Sequence, residues 1–169
     1  MPTPQIEAAR AVVEEPREPA PATLLVDEPA PTILVARAHD PHRLARGARV
    51  SATVERAFTR AGYPAGAPGR VEAARFIVSP TVQAVTVTRE ARSTTIACRV
   101  TLRVAPWSGG ERWEPHTTAS ATAEARATTG NARAQIELGI DDCLESAVNA
   151  AATREVIPFL RRCERAGCE

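Results

Sequence analysis

The chain has 169 residues, the length of a single domain, and its formal net charge is +1. This balance lacks the basic excess typical of a nucleic-acid binder, so we expect no nucleic-acid partner. The longest apolar runs are far shorter than the roughly 20 residues of a membrane-spanning helix, so no transmembrane segment is predicted. No signal peptide is visible after Met1. Two expectations remain: a cytoplasmic protein, or a mature exported one supplied without its signal.

The first 31 residues differ in composition from the rest of the chain. They hold seven of the 14 prolines, and residues 1–30 carry six acids against two arginines. Proline and clustered charge predict a disordered tail or tether. We therefore divide the chain into a tail at 1–31, an α+β domain at 32–162 and a C-terminal tail at 163–169.

The predicted domain opens with a short β-rich run at 32–38. Asp40 and Pro41 are typical of the N-cap and first residue of a helix, which the apolar periodicity carries as far as Gly62. Gly62 is expected to end that helix in the left-handed conformation. The predicted buried stripe consists of Leu44, Gly47, Ser51, Val54, Phe58 and Ala61. Residues 64–69 follow as a loop.

Three strands are predicted next. The first covers 76–88, and Pro80 marks a bulge or an edge because proline donates no ladder hydrogen bond. A turn at 88–93 leads into a strand whose apolar residues alternate with polar ones from 96 to 104. The third strand, 119–128, alternates alanine with polar residues, and small inward residues would let a helix approach closely.

A final helix is predicted at 131–152, followed by a short closing segment at 156–160. The buried stripe of this helix consists of Ile136, Ile140, Cys143, Leu144, Ala147 and Ala151. The element order β-α-β-β-β-α predicts an α+β fold. It consists of an antiparallel or mixed sheet of about four strands with both helices on one face.

Candidate chemistry is sparse in this sequence. His39 and His42 are three residues apart but flank a predicted helix start, and no ligand set with zinc-like spacing accompanies them. The sequence has no GxSxG, glycine-rich phosphate loop, HExxH or CxxC motif. Asp141 and Asp142 are adjacent on a helix and cannot converge, so a solvated face is expected. We predict no catalytic residue, no cofactor and no metal, and hence no enzyme.

The four cysteines are the most informative set. Cys98 is in phase with the inward residues of its strand, and Cys143 lies on the inward stripe of the last helix. A Cys98–Cys143 disulfide would join sheet to helix, and Cys163 with Cys168 would close a small terminal loop. The alternatives are buried thiols with two free terminal ones, as expected in the cytoplasm, or zinc bound by all four.

Trp107 and Trp113 flank a Ser-Gly-Gly loop. They are expected either to stack across a hairpin or to anchor a partner, which we expect to be a protein.

Three phrases of this sequence resemble a C-terminal module of exported myxobacterial proteins. They are Ile-Ala-Cys-Arg-Val-Thr-Leu at 96–102, Asp-Cys-Leu-Glu-Ser-Ala-Val at 142–148 and Val-Ile-Pro at 156–158. The element order, with Ala-Gly-Tyr at 61–63, is also similar to small envelope-lipoprotein domains. The resemblance implies a non-catalytic, periplasmic or secreted binding or scaffold role, with Cys98 paired to Cys143. The alternative is a cytoplasmic protein-interaction domain with reduced cysteines.

Overall fold

The structure is a computed structural model that describes residues 32–41, 45–67, 74–107 and 118–167. The predicted tail at 1–31 lies outside these ranges, so the division into domain and tails stays a prediction. Within the described ranges, no helix combines the length and apolarity needed to cross a membrane.

The elements follow one another as a strand, a helix, four strands and a long C-terminal helical segment. In chain order they are β1 Ile33–Val35, α1 Gly47–Arg60, β2 Ala65–Gly66, β3 Phe76–Arg89, β4 Thr94–Pro106, β5 Ala119–Thr129, α2 Arg133–Ala151, a π-helical turn Ala152–Val156 and α3 Ile157–Ala166.

The strands form one five-stranded mixed sheet in the order β2-β1-β3-β4-β5. β1 runs parallel to both β2 and β3, whereas β3, β4 and β5 form an antiparallel meander. The predicted α+β fold is confirmed, and the fifth strand comes from part of the predicted loop at 64–69. Ala65 and Gly66 pair with β1, beside a hydrogen bond from the Ile33 N–H to the Pro64 carbonyl at 2.8 Å.

Pro80 lies within β3, which runs unbroken past it. The Pro80 carbonyl accepts a hydrogen bond from the His39 N–H at 2.9 Å, so the Pro80 nitrogen faces the same edge of β3. β1 ends at Val35, so no strand of the described residues lies beside β3 at Pro80 to accept a backbone hydrogen bond. The missing N–H of the proline therefore costs the sheet no hydrogen bond. The bulge of β3 occurs slightly later, between Val82 and Ala84.

The helix predicted to start at Asp40 begins instead at Gly47. Ala45 has φ 58°, a left-handed conformation that a right-handed helix cannot include, and the Asp40 carboxylate accepts a hydrogen bond from the Arg46 N–H at 3.4 Å. Asp40 thus bonds an N–H just before the helix. At the other end, Gly62 has φ 96°, as predicted for the residue that ends α1.

The inner face of the meander carries the core. β4 is buried at every second residue, and α2 lies over both β4 and β5. On β5 the inward residues are alanines, which bring α2 close: the Cys143 sulfur lies 3.3 Å from the Ala125 carbonyl oxygen. The largest fully buried side chains include Phe58, Ile33, Ile96, Leu102, Leu160 and Val148.

The predicted closing segment at 156–160 is helical. Its Pro158 has no N–H to donate to the carbonyl four residues earlier, and the π turn immediately before α3 absorbs this interruption. α2, the π turn and α3 therefore form one continuous helical segment, which ends at Ala166.

Candidate functional site

The centre of the helix–sheet layer is a disulfide between Cys98 on β4 and Cys143 on α2, the pairing predicted from the sequence. Their Cα atoms are 6.2 Å apart, and the two residues are 3% and 1% exposed. Alternation along β4 turns Cys98 toward the helices, and the helical stripe of α2 turns Cys143 toward the sheet. The bond is a covalent link between the two layers.

The second predicted cysteine pair is only half described. Cys163 lies in α3, half-buried against the core, whereas Cys168 lies outside the described residues. The pairing of Cys163 with Cys168 stays a prediction.

Charged side chains join α1 to α2 at the surface of the helical layer. Arg46 donates from Nε to Asp141 at 2.8 Å and pairs with Glu137, and Arg49 donates to the other oxygen of Asp141 at 2.8 Å. Burial disfavours the charged form of Arg46, but the hydrogen bonds and charges of Glu137 and Asp141 outweigh it and raise its pKa. This ion-pair cluster holds the two helices together.

The ion-pair cluster corrects the prediction of a solvated face for Asp141, whose side chain is 16% exposed. Asp142 is exposed, as that prediction requires. The sequence analysis missed the cluster because Arg46 and Asp141 are 95 residues apart. The sequence does contain one indication of the cluster. Glu137 and Asp141 are four residues apart, so their carboxylates lie on the same face of the helix and can both accept hydrogen bonds from one arginine.

A cleft of about 220 Å³ opens between α1 and α2 beside this cluster. Its walls include Arg49, Thr53, Arg56, Leu138, Asp142 and Glu145. The walls carry charges of both signs, and the hydroxyl of Thr53 already accepts a hydrogen bond from Arg56 at 3.0 Å. The cleft is therefore a groove between the surfaces of two packed helices.

Tyr63 follows α1 and contacts α3. It is 3% exposed, and its hydroxyl donates a hydrogen bond to Glu164 at 3.1 Å. Burial, together with the negative charge of Glu164, raises the pKa of the Tyr63 phenol above its ordinary value. Tyr63 therefore connects the end of α1 to the C-terminal helix.

The histidines and tryptophans singled out in the sequence are divided between described and undescribed parts of the chain. The His39 backbone forms a bridge with Thr81, and its side chain is exposed. In the ranges that the structure describes, no three metal-ligating side chains converge. The Trp107 N–H donates to the Arg75 carbonyl at 2.8 Å. His42 and Trp113 lie outside the described residues, so a site shared by His39 and His42 and a stack of Trp107 on Trp113 both stay untested.

The sheet face opposite the helices is polar over β4 and β5. Arg99 donates to Glu124 at 2.8 Å, and the hydroxyls of Thr101 and Thr122 are hydrogen-bonded at 2.8 Å. These cross-strand pairs are exposed. β5 is also the last strand of the sheet, so its outer edge faces away from β4. This polar face and the edge beside it form the candidate interaction surface.

The fold is a five-stranded mixed sheet with its helices on one face, and its chain order is β-α-β-β-β-β followed by the C-terminal helical segment. Neither the protein-family models nor the curated proteins match this chain. Among solved structures, a PelC dodecamer from Paraburkholderia phytofirmans has this fold, with a TM-score of 0.51 and 11% identity. The alignment covers 76% of this chain and 91% of the PelC chain.

Two further solved structures are similar. A second PelC dodecamer from the same organism, in space group C2, aligns with a TM-score of 0.50 and 12% identity over 73% of this chain and 85% of its own. A putative lipoprotein from Caulobacter crescentus aligns at a TM-score of 0.47 and 16% identity, over 76% and 88% of the two chains. For the two PelC structures the similarity is in the fold.

Proposed function

We propose that this chain is a non-catalytic module of the cell envelope, periplasmic or secreted, that binds or scaffolds other proteins. The observation that carries the proposal is the disulfide between Cys98 and Cys143. Disulfides persist in oxidising compartments such as the periplasm and the cell exterior, and they are rare in the reducing cytosol.

The position of the disulfide strengthens this reasoning. Both cysteines are buried in the core, and the bond closes a loop with a sequence separation of 45. On the chain-entropy model, such a loop contributes about 4 kcal/mol to stability. This is a large share of the 5–15 kcal/mol typical of small proteins. The fold receives this share of its stability only where the bond stays oxidised.

The non-catalytic part of the proposal is supported by what the charged side chains do. Asp141 and Glu137 are held by arginine in the ion-pair cluster, and Glu164 accepts from Tyr63. Carboxylates engaged in this way tie elements together and are poorly placed to exchange protons with a substrate. The dodecameric state of the PelC structures, which have this fold, also supports a role in assembly.

The proposal is tested by measuring, in the cells that naturally make this protein, where the chain is found and which of its cysteines are oxidised. One portion of the cells is fractionated, and another is quenched in acid and alkylated with a maleimide under denaturing conditions, so that buried thiols also react. The purified chain is then reduced and alkylated a second time, and its intact mass is measured before and after this step. We expect the protein in the envelope or the medium, with Cys98 and Cys143 labelled only after reduction.

The matched control is the variant Cys98→Ala/Cys143→Ala, which should gain no label at these positions on reduction. Complete labelling of all four cysteines without reductant, in a cytoplasmic fraction, would contradict the proposal. That result would instead support a cytoplasmic protein-interaction domain with reduced cysteines.

A further inference from the structure

β5 is the last strand at one edge of the sheet formed by the described residues. It runs from Ala119 to Thr129, pairs with β4 on one side, and has no described residue paired with its other side. Natural edge strands are usually shortened, bulged, charged or interrupted by proline, which prevents unwanted pairing. The charged residues of β5 are Glu124 and Arg126, which are opposite in sign and so can also attract a complementary strand. β5 is 11 residues long, contains no proline, and keeps a regular register with β4 throughout. The strand has the features of a pairing surface.

The register of the sheet determines which backbone groups of β5 face outward. The Pro80 carbonyl accepts a hydrogen bond from His39, on the side of β3 that faces away from β4. Pro80 and its partner on β4, Leu102, therefore form a pair whose backbone groups point away from each other. Leu102 therefore bonds to its partner on β5, Ala121. The backbone N–H and C=O groups of successive residues point to opposite edges of a strand. Ala121 and the other odd-numbered residues of β5 therefore hydrogen-bond to β4. The even-numbered residues, from Ser120 to Thr128, direct their N–H and C=O groups to the open edge.

We propose that the occupant of this edge is β5 of a second copy of the chain, paired antiparallel about a two-fold axis at Ala125. In this register the even-numbered residues of the two copies lie opposite one another and exchange about eight backbone hydrogen bonds. The two sheets then continue across the axis as one ten-stranded sheet. This inference concerns the assembly of the chain and does not depend on the compartment proposed above.

The charges of β5 select this register. With the axis at Ala125, Glu124 of each copy lies opposite Arg126 of the other, so two cross-strand ion pairs form. Thr122 lies opposite Thr128 of the second copy, a further favourable pair. An axis at residue 124 or 126 would instead place Glu124 opposite Glu124, or Arg126 opposite Arg126. The exposed face of the strand is therefore complementary to itself in one register.

The helical layer is compatible with this pairing. α2 lies over both β4 and β5, so its axis is about one strand spacing from the two-fold axis. With strands about 4.8 Å apart, the two copies of α2 are about 10 Å apart. This separation is close to the 8–10 Å at which helices pack. The helices of the two copies thus meet at a packing distance when the strands pair.

A pair of charge reversals tests the inference with the full-length oxidised chain. Glu124→Arg alone and Arg126→Glu alone each place like charges opposite one another twice in the dimer. Mixing the two variants restores opposite charges at both places. We expect sedimentation equilibrium to show a dimer for the wild type. The dissociation constant should be at least about tenfold higher for each variant alone and should recover in the equimolar mixture.

Two controls separate the interface from folding. Arg99→Ala removes the partner of Glu124 within the same chain and should leave the dimer intact. Thr122→Pro removes an N–H that points to the open edge, so it should weaken the dimer while the circular dichroism spectrum is retained.

Three results would overturn the inference. One is a wild-type chain that stays monomeric up to about 1 mM. The second is a dimer that none of these substitutions weakens, which would place the interface elsewhere. The third is a mixture of folded variants that stays monomeric. Each would leave the thiol and localisation test of the proposed function unaffected.

Discussion

At the scale of single residues, Tyr63 shows how a buried polar group makes stability depend on pH. The chain has one tyrosine and no lysine, so alkaline titration near the tyrosine pKa reports this phenol with little interference. Burial and Glu164 raise its pKa in the folded state above the ordinary value of 10.0. The unfolded chain therefore loses the phenolic proton first as the pH rises.

The consequence is a defined pH window. The stability contributed by Tyr63 should be fully present below about pH 10 and should be lost as the pH rises through the folded-state pKa. Tyr63→Phe should cost about 1 kcal/mol near neutral pH because the hydrogen bond to Glu164 is lost. The difference in the free energy of unfolding between the wild type and Tyr63→Phe should then narrow above about pH 10.

Urea denaturation at several pH values measures this difference, and phenolate absorbance in the folded protein gives the pKa directly. A phenolate midpoint at or below the value for free tyrosine would refute the explanation.

The sequence predicts the placement of a residue where local periodicity determines it, and it does not predict contacts that depend on how two distant elements pack. The placement of Cys98 and Cys143 followed from their phase within a strand and a helix, which is a local property. The ion pair of Arg46 with Asp141 depends on how α1 is placed against α2, which local periodicity does not specify.

At the scale of elements, the ion-pair cluster links α1 to α2 through Asp141. Asp141→Asn should lower the free energy of unfolding by about 1–2 kcal/mol, because Arg46 and Arg49 lose a charged acceptor. Asp142→Asn is the matched control, since the neighbouring carboxylate is exposed, and it should change stability by less than about 0.5 kcal/mol.

Chemical denaturation of the wild type and the two variants measures both effects. Equal losses for the two substitutions would mean that the cluster contributes nothing beyond surface charge.

Alternation predicted the elements most accurately where one face of a strand meets the core and the other meets water. β4 was predicted at 96–104 and spans Thr94–Pro106, and β5 was found where alanine alternates with polar residues. β2 was missed because two residues carry no periodicity. The start of α1 was wrong because a good capping pair, Asp40 and Pro41, does not reveal the left-handed Ala45 that follows.

At the scale of the whole molecule, the Cys98–Cys143 disulfide holds the sheet to its helical layer. Cys98→Ala/Cys143→Ala should lower the free energy of unfolding by about 4 kcal/mol, mainly because the unfolded chain regains freedom. Denaturation with and without reductant checks this, and reduction should bring the wild type close to the variant. A double variant as stable as the oxidised wild type would show that packing alone holds the two layers together.

The overall architecture was accessible from sequence because element order limits the ways in which layers pack. Two helices on one face of an antiparallel meander followed from β-α-β-β-β-α order and from the small residues of β5. The parallel pairing of β1 was not accessible, because it depends on where α1 returns the chain.

The disulfide also has a consequence for a chain that has been cut. Residues 107–118 connect β4 to β5, and both ends of this connection lie between Cys98 and Cys143. A protease that cleaves there produces two fragments that stay covalently joined, with β3 and β4 on one and α2 on the other. Such a nicked molecule would migrate as one species until it is reduced, and in an environment rich in proteases it would keep its two halves together.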